Sequence, residues 1–196
     1  MAPRRAKPVI YTVGHSTRPI DDFLELLRAH GVTQLVDVRS IPRSRHNPQY
    51  EQGALRAALK RERIRYVYMR ALGGRRRARK DSANSGWINA SFRGYADYMQ
   101  TEGFRAGLTR LERIARERVT TIMCAEGFFA RCHRSLIADA LVVDGWRVRH
   151  IQSRVTASVH RRTPFLRVRG GRLTYPGSAV RALEWRSRPS QPQSKQ

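Results

Sequence analysis

Short apolar runs alternate with segments of helical periodicity over the first 150 residues. Continuous apolar and β-branched runs predict five strands, at residues 9–13, 34–38, 64–69, 119–124 and 146–151. Apolar residues at three- and four-residue intervals predict helices between them, at residues 20–30, 54–59 and 134–144, with two more within 92–118 that are separated near 101–103. This alternation favours right-handed β–α–β crossovers. The pattern therefore predicts an α/β fold, a three-layer Rossmann-like open sheet of about five mainly parallel strands.

The chain changes character after this alternating region. Residues 165–175 surround Gly170-Gly171 and predict a C-terminal β-hairpin. The final residues are basic and rich in Pro, Ser and Gln, which predicts disorder. We therefore expect an α/β domain over residues 8–152, a hairpin extension over 153–178 and a basic tail over 179–196.

Positive charge is concentrated in two segments. The chain has 39 Lys and Arg against 15 Asp and Glu, a net charge of +24. Residues 60–80 hold ten basic residues and one acid (+9), and residues 147–196 hold twelve and one (+11), which together make +20 of that total. Such a surface attracts polyanions, so nucleic acid, either DNA or RNA, is the expected partner. Solvated arginine faces or a basic proteome are the alternative explanation.

Apolar stretches are all shorter than the roughly 18–20 residues that cross a bilayer. The arginine-rich start also lacks the apolar segment of a secretory signal. We expect a cytoplasmic protein without membrane contact, in which the two cysteines are reduced thiols, metal ligands or a redox switch. The oligomeric state stays open.

Polar residues whose side chains can catalyse a reaction or bind a ligand follow three predicted strands. Carboxyl ends of parallel strands share one edge of a sheet, where ligands bind in open α/β folds. The residues to which we assign catalytic roles lie at these ends: His15, Asp37, Cys124 and Glu126. The residues to which we assign substrate binding are Arg39, Arg43, Arg45, His46, Arg131, His133 and Arg134. Structural alternatives remain, because His15 could cap a helix at Ser16 or Thr17 and Asp37 could form a buried ion pair with Arg39.

The two cysteines allow more than one chemistry. Cys124 precedes a loop and a helix start, an arrangement that lowers a thiol pKa and binds oxyanions, but its spacing to Arg131 departs from that of cysteine-dependent phosphatases. Packing as a small apolar residue is the alternative. Cys124, Cys132, His133 and His15 are also candidate soft metal ligands. The eight-residue interval is wide, and adjacent Cys132 and His133 are expected to have difficulty facing one ion. We therefore assign no metal ligands and leave any cofactor open.

Aromatic residues follow the basic segment and have two interpretations. Trp87, Phe92, Tyr95 and Tyr98 could stack on bases, but the spacing of the last three is typical of a packed helix face. We expect packing for at least two of them. The preceding loop, residues 73–86, is long, basic and rich in small residues, which predicts mobility.

Several separated motifs in order resemble the DUF488 family of uncharacterised bacterial and archaeal proteins. They lie at residues 12–17, 37–44, 72–74, 124–126 and 132–135, and residues 163–165 and 170–176 extend the likeness beyond Ile151. The resemblance implies a shared pocket that includes His15, Asp37, Arg39, Cys124, Glu126, Cys132, His133 and Arg134, but no agreed activity. The strongly basic chain departs from the family pattern.

These observations favour an enzyme of unknown reaction that acts on nucleic acid or a nucleotide-like anion at the carboxyl edge of the sheet. The loop at 73–86 and the tail are expected to hold phosphates. Two alternatives stay open: a non-catalytic nucleic-acid-binding protein, and a small-molecule thiol or metal-dependent enzyme.

Overall fold

A computed structural model describes residues 6–177, so the basic tail expected at 179–196 lies outside the described residues. The strands are β1 (Val9–Gly14), β2 (Gln34–Asp37), β3 (Arg65–Tyr68), β4 (Thr120–Cys124), β5 (Arg147–Ile151), β6 (Ala157–Val159), β7 (Arg167–Arg169) and β8 (Arg172–Thr174). The helices are α1 (Ile20–Ala29), α2 (Gln52–Arg61), α3 (Ala90–Tyr98), α4 (Glu102–Glu117) and α5 (Arg134–Val143). No helix within this range is long and apolar enough to cross a membrane.

Within residues 6–177, six strands form one sheet in the order β3-β2-β4-β1-β5-β6. The first five are parallel, and β6 pairs antiparallel with β5 at the edge. The prediction of an α/β fold with about five mainly parallel strands and a C-terminal hairpin is confirmed, and β7 pairs with β8 as that hairpin. The short strand β6 was not expected, because its three residues form no apolar run.

Strand alternation divides the core into two layers. Leu35 and Met123 pack with α1 and α2 on one face of the sheet. Their neighbours Val36 and Ile122 pack with α3, α4 and α5 on the other face. Because successive strand residues point to opposite faces, both sides of the sheet are buried. The result is the predicted three-layer arrangement.

The order in which the chain adds strands to the sheet reverses next to β1. This reversal determines where the site lies. From β1 the chain passes through α1 and α2 to β2 and β3, towards one edge of the sheet. From β3 it returns over the opposite face to β4, and α5 then leads to β5 on the far side of β1. The connections after β1 and β4 therefore leave to opposite faces. Such a topological switch point opens a crevice at the carboxyl ends of the two strands.

Gly14 ends β1 where the loop after β4 crosses it. A Cβ at this position would collide with the backbone of Glu126 and Gly127. His15 and Ser16 continue the contact by donating backbone hydrogen bonds to the carbonyls of Cys124 (3.0 Å) and Ala125 (2.9 Å). The close approach of the two chain segments therefore requires glycine and holds the two switch-point loops side by side.

Side-chain caps mark the predicted break between α3 and α4. Asn89 accepts a hydrogen bond from the Ser91 backbone N–H at the start of α3 (2.8 Å). Thr101 does the same for Phe104 at the start of α4 (3.3 Å). Because caps satisfy otherwise free N–H groups, each helix begins where a capping residue stands.

The loop at 73–86 is attached to α3 through one carboxylate. Asp97 accepts hydrogen bonds from the backbone N–H of Arg79 (2.8 Å), the hydroxyl of Ser82 and the amide of Asn84 (2.8 Å). Asn84 is buried and accepts in turn from the Tyr175 backbone N–H. The second half of the basic loop is therefore joined both to a helix and to the end of the hairpin.

Asp139 on α5 anchors the C-terminal extension to the core. Its two fully buried oxygens accept four hydrogen bonds, from His160, from the backbone and hydroxyl of Thr163, and from the hydroxyl of Tyr175. A buried carboxylate requires such a full set of donors, because ionised groups are costly to desolvate. The extension therefore packs as part of the same core.

A directional chain of hydrogen bonds leads from Asp139 to β1. His160 lies 3.0 Å from Asp139 and 2.9 Å from His150, whose other ring nitrogen lies 2.7 Å from the Thr12 hydroxyl. One consistent assignment has both imidazoles neutral, each donating towards Asp139, with the Thr12 hydroxyl donating to His150. Burial is the main cause that lowers the pKa of His150 to about 3, and the positive charge of Arg134 acts in the same direction.

Replacing Asp139 by Asn tests this anchor. The amide keeps one acceptor oxygen but loses the other together with the negative charge, so two of the four donors lose their acceptor, and we expect the free energy of unfolding in urea to fall by about 2–3 kcal/mol. Asp144→Asn is the matched control, because Asp144 pairs with Arg105 at the surface (3.3 Å) and its loss should cost less than about 1 kcal/mol. Equal effects of the two substitutions would contradict the anchoring role.

Replacing His150 by Gln tests its depressed pKa. In the unfolded chain His150 binds a proton below about pH 6.5. In the folded chain it binds that proton only when the pH approaches about 3. Wild-type stability should therefore decrease as the pH falls through this window. The His150→Gln chain lacks this contribution, so its deficit in unfolding free energy should be largest near neutral pH and shrink in acid. A deficit that is constant from about pH 7 to about pH 4 would show an ordinary pKa.

Candidate functional site

The switch-point crevice is a cavity of about 950 Å³. Its walls come from the loops after β1, β2 and β4 and from residues 74–77 of the basic loop. The expected convergence of strand ends at one crevice therefore occurs, with a wall from the basic loop added.

The cavity wall carries strongly positive charge. Its arginines are Arg39, Arg43, Arg75, Arg76, Arg77 and Arg131, and its one carboxylate among the described residues is that of Glu126. The side chains of Arg43, Arg75, Arg77 and Arg131 are exposed and have no hydrogen-bond or ion-pair partner in residues 6–177. Arg76 instead lies 3.7 Å over the ring of Tyr98. A concave surface with unpaired guanidinium groups concentrates its field on an incoming anion.

Arg39 is neutralised by its neighbour. Its guanidinium donates to both oxygens of Asp37 (2.6–3.1 Å) and to the Tyr50 carbonyl (2.9 Å), and all three residues are buried. Tyr66 donates a further hydrogen bond to Asp37 (2.8 Å). The ion pair considered as the structural alternative is therefore present. It fixes the end of β2, and only Arg39 of the pair reaches the cavity wall.

His15 lines the cavity and has a buried ring nitrogen without a partner among the described residues. The residue is buried, its ring stacks on Tyr50 with centroids 4.0 Å apart, and its Nδ1 lies 2.7 Å from the Ser16 carbonyl. Because a carbonyl accepts, Nδ1 carries the proton, and Nε2 has a free lone pair with no partner among the described residues. Burial lowers the pKa of His15 to about 4, and Arg39 adds to this effect, so the ring is neutral at pH 7. The capping alternative is wrong, because α1 begins later, at Ile20, with Pro19 as its N-cap.

Both thiols and His133 meet at the floor of the cavity. The Nδ1 atom of His133 lies 3.6 Å from the sulfur of Cys132 and 3.9 Å from that of Cys124. Cys132 has an extended backbone (φ −126°, ψ 145°) and His133 is the N-cap of α5 (φ −55°, ψ −15°), so the chain turns between them. The expectation that these adjacent side chains would have difficulty facing one point is therefore wrong.

The two sulfurs differ in their electrostatic surroundings. Burial opposes ionisation of Cys132, but the interaction with the Cys124 thiol and the neighbouring positive charge lower the pKa of its thiol well below the ordinary value. Arg134 adds to this, with its Nε 3.3 Å from the sulfur. The hydrogen bond to Cys132, together with burial, raises the pKa of Cys124. Cys132 is therefore the more acidic of the two thiols.

Arg134 supports the site from behind the cavity. The side chain is buried, and its guanidinium donates to the sulfur of Cys132, to the hydroxyl of Thr12 (3.5 Å) and to the carbonyl of Glu126. These contacts join β1, the loop after β4 and the start of α5. The same side chain reaches a second cavity of about 220 Å³ but not the main one.

The structure brings most of the expected residues to one cavity. Those on its wall are His15, Arg39, Arg43, Cys124, Glu126, Arg131 and His133. Those placed elsewhere are Asp37 and Arg134, which are buried behind it, and Arg45 and His46, which are exposed outside it.

The loop at 73–86 is predicted to hold phosphates and Phe92 is a candidate for base stacking, but the sequence does not place either on the wall of this cavity. Residues 75–77 and Phe92 line the cavity, and Gly74 packs so closely that a Cβ there would overlap the His133 ring. The only signal for residues 75–77 in the sequence was the run of basic residues, which does not show where their side chains point. Among the aromatic candidates, Trp87 and Tyr95 are buried in the core, as expected for packing.

Comparisons with known proteins give a match to a protein family. A family model described as a domain of unknown function, DUF488, matches residues 19–141, more than half of the chain. Comparison with curated proteins and with solved structures gave no significant match. The matched residues include the wall of the site from Arg39 to His133, and the chain belongs to the DUF488 family.

Proposed function

We propose that the protein is an enzyme that acts on nucleic acid or a nucleotide-like anion bound in the switch-point cavity. One observation carries the proposal: the wall has six arginines and a single carboxylate among the described residues. Four of these guanidinium groups are unpaired. Phosphate groups are the natural partners of such arginines, because planar guanidinium groups bind their oxygens in pairs.

The size and lining of the cavity favour a nucleotide over a small inorganic anion. Its volume of about 950 Å³ is at the upper end of the range for sites that enclose small molecules, roughly 300–1,000 Å³. Phe92 is a half-buried aromatic ring on the wall. A base can stack on such a ring while its phosphates face the arginines. This combination supports a ligand with both a charged and a planar aromatic part.

Acid–base chemistry in this proposal falls to two residues on the wall. His15 is neutral and has a free Nε2 lone pair, so it can accept a proton from a substrate hydroxyl or a water molecule. Glu126 is the carboxylate on the wall and provides the second acid or base. Asp37 is paired with Arg39 and positions that guanidinium instead.

A non-catalytic nucleic-acid-binding protein is the second candidate. It is favoured by the unpaired arginines of the wall and by exposed Arg45, which extends the positive surface outside the cavity. Both candidate functions require the arginines for ligand binding, but only the enzyme converts a substrate. Substrate conversion therefore separates them.

Removing one unpaired arginine from the wall should weaken ligand binding. We expect Arg131→Ala to raise the Kd for labelled nucleotides or short oligonucleotides about tenfold, because a charge-assisted contact is lost. The salt dependence of oligonucleotide binding should also fall by about one phosphate contact. Fluorescence anisotropy measures both quantities.

Arg113→Ala is the matched control for this experiment. Arg113 is an exposed arginine of α4 that does not line the cavity, so its removal changes the net charge equally. If both variants weaken binding by the same factor, general charge attraction explains the effect and the cavity is not the binding site.

Glu126→Gln and His15→Gln should each reduce turnover about 100-fold or more in a screen of nucleotides and oligonucleotides. Nucleotide affinity should not fall, because neither residue supplies positive charge and Glu126→Gln removes a negative one. Glu117→Gln, at the exposed end of α4, is the matched control. Turnover that survives both cavity substitutions contradicts the proposed catalytic site, and binding without turnover of any substrate supports the second candidate.

A further inference from the structure

Cys124, Cys132 and His133 form a compact set of soft donors at the floor of the cavity. One ligand atom from each, two sulfurs and one ring nitrogen, lies within 4.8 Å of the other two. We propose that these three side chains bind a divalent metal ion of the zinc class, with a fourth coordination position that faces the cavity. This site goes beyond the anion binding proposed above, because none of its ligands is an arginine.

The distances match a tetrahedral zinc site without rearrangement of the backbone. Zinc–sulfur bonds of about 2.3 Å and zinc–nitrogen bonds of about 2.0–2.1 Å, at tetrahedral angles, place sulfur and nitrogen about 3.6 Å apart. The nitrogen of His133 lies 3.6 Å from the sulfur of Cys132 and 3.9 Å from that of Cys124. Both sulfur–nitrogen distances therefore suit one shared ion, and the two sulfurs lie within 4.8 Å of each other.

The surroundings of His133 select the nitrogen that a metal needs. Its Nε2 lies 3.2 Å from the Val38 carbonyl, so this nitrogen carries the proton and Nδ1 offers its lone pair towards the sulfurs. A backbone carbonyl on the far nitrogen is the usual support of a metal-bound histidine. The Tyr95 ring, with its centroid 5.0 Å away, and Gly74 confine the imidazole from both sides. Its orientation is therefore fixed before any ion arrives.

Positive charge next to the sulfurs also favours a bound thiolate pair. The Nε–H of Arg134 points to the sulfur of Cys132 at 3.3 Å, and the side chain is buried. A hydrogen bond from a cation disperses the negative charge that two thiolates bring to one metal. Arg134 would thereby support a metal-bound Cys132 by a hydrogen bond, as the Val38 carbonyl would support His133.

The open fourth position defines the class of site. Structural zinc sites are closed by four protein ligands, whereas catalytic sites use three and leave the fourth for water or substrate. The three ligands here all line the cavity, and no fourth His, Cys, Asp or Glu joins the group among residues 6–177. An ion in this place would lie at the floor of the arginine-lined cavity and could accept an oxygen of a bound anion.

Cobalt binding to the purified, reduced full-length chain tests the site. We expect one Co²⁺ per chain, with thiolate-to-cobalt charge-transfer absorption and the intense visible bands of tetrahedral coordination, both lost when Zn²⁺ is added. Cys124→Ser and His133→Gln should each lower Co²⁺ affinity tenfold or more. His46→Gln is the control, because His46 is an exposed histidine outside the cavity.

Gly74→Ala provides a variant that retains all three ligands. Its methyl group would overlap the His133 ring, so it should weaken Co²⁺ binding and alter the visible bands although no ligand is removed. Circular dichroism checks that each variant is folded, and Zn²⁺ should raise the Tm of the wild-type chain but not that of Cys124→Ser. A folded, reduced wild-type chain that shows no thiolate-to-cobalt absorption, or absorption unchanged in Cys124→Ser, overturns the proposal. Anisotropy of nucleotide binding to Arg131→Ala is independent of this outcome, so the two proposals can fail separately.

Discussion

The parallel pairing of β1 with β4 is the constraint on which the site depends. Gly14 stands opposite Cys124 in this pair, and the connections that follow leave to opposite faces of the sheet. The crevice is therefore a consequence of chain direction, and no side chain has to hold it open. Gly14 adds the local condition, since only a residue without Cβ lets the loop at Glu126 cross so closely. His15, Cys124 and Glu126 become neighbours for this reason.

Buried and exposed arginines have different tasks in this molecule. Arg39 is paired with Asp37, and Arg134 with the sulfur of Cys132 and two oxygen acceptors, so each guanidinium is buried with its donors satisfied. Partners of this kind are what make a buried charge tolerable. The arginines at the rim, such as Arg43 and Arg131, have none within the described chain. The first group shapes the site, and the second leaves it with excess positive charge.

Periodicity was sufficient to predict the sheet, its two covered faces and the convergence of His15, Cys124 and Glu126, because strand ends follow from strand positions. Side-chain direction in loops could not be predicted in the same way. Residues 75–77 form the cavity wall only because the Arg75 backbone bonds Ser40 (2.8 Å) and Gly74 packs on His133. The meeting of Cys132 with His133 likewise depends on a single turn of backbone before α5.

The topology also shows that the folded unit is larger than the span that the family model matches. The match covers residues 19–141, which leaves out both β1 and β5. In the sheet, β1 lies between β4 and β5, so its removal would expose the inner edge of β4 and open the core. Asp139, inside the matched span, has its hydrogen-bond donors outside it, on His160, Thr163 and Tyr175. A carboxylate buried at that position is stable only when those later residues are in place, so the α/β unit and its C-terminal extension fold as one.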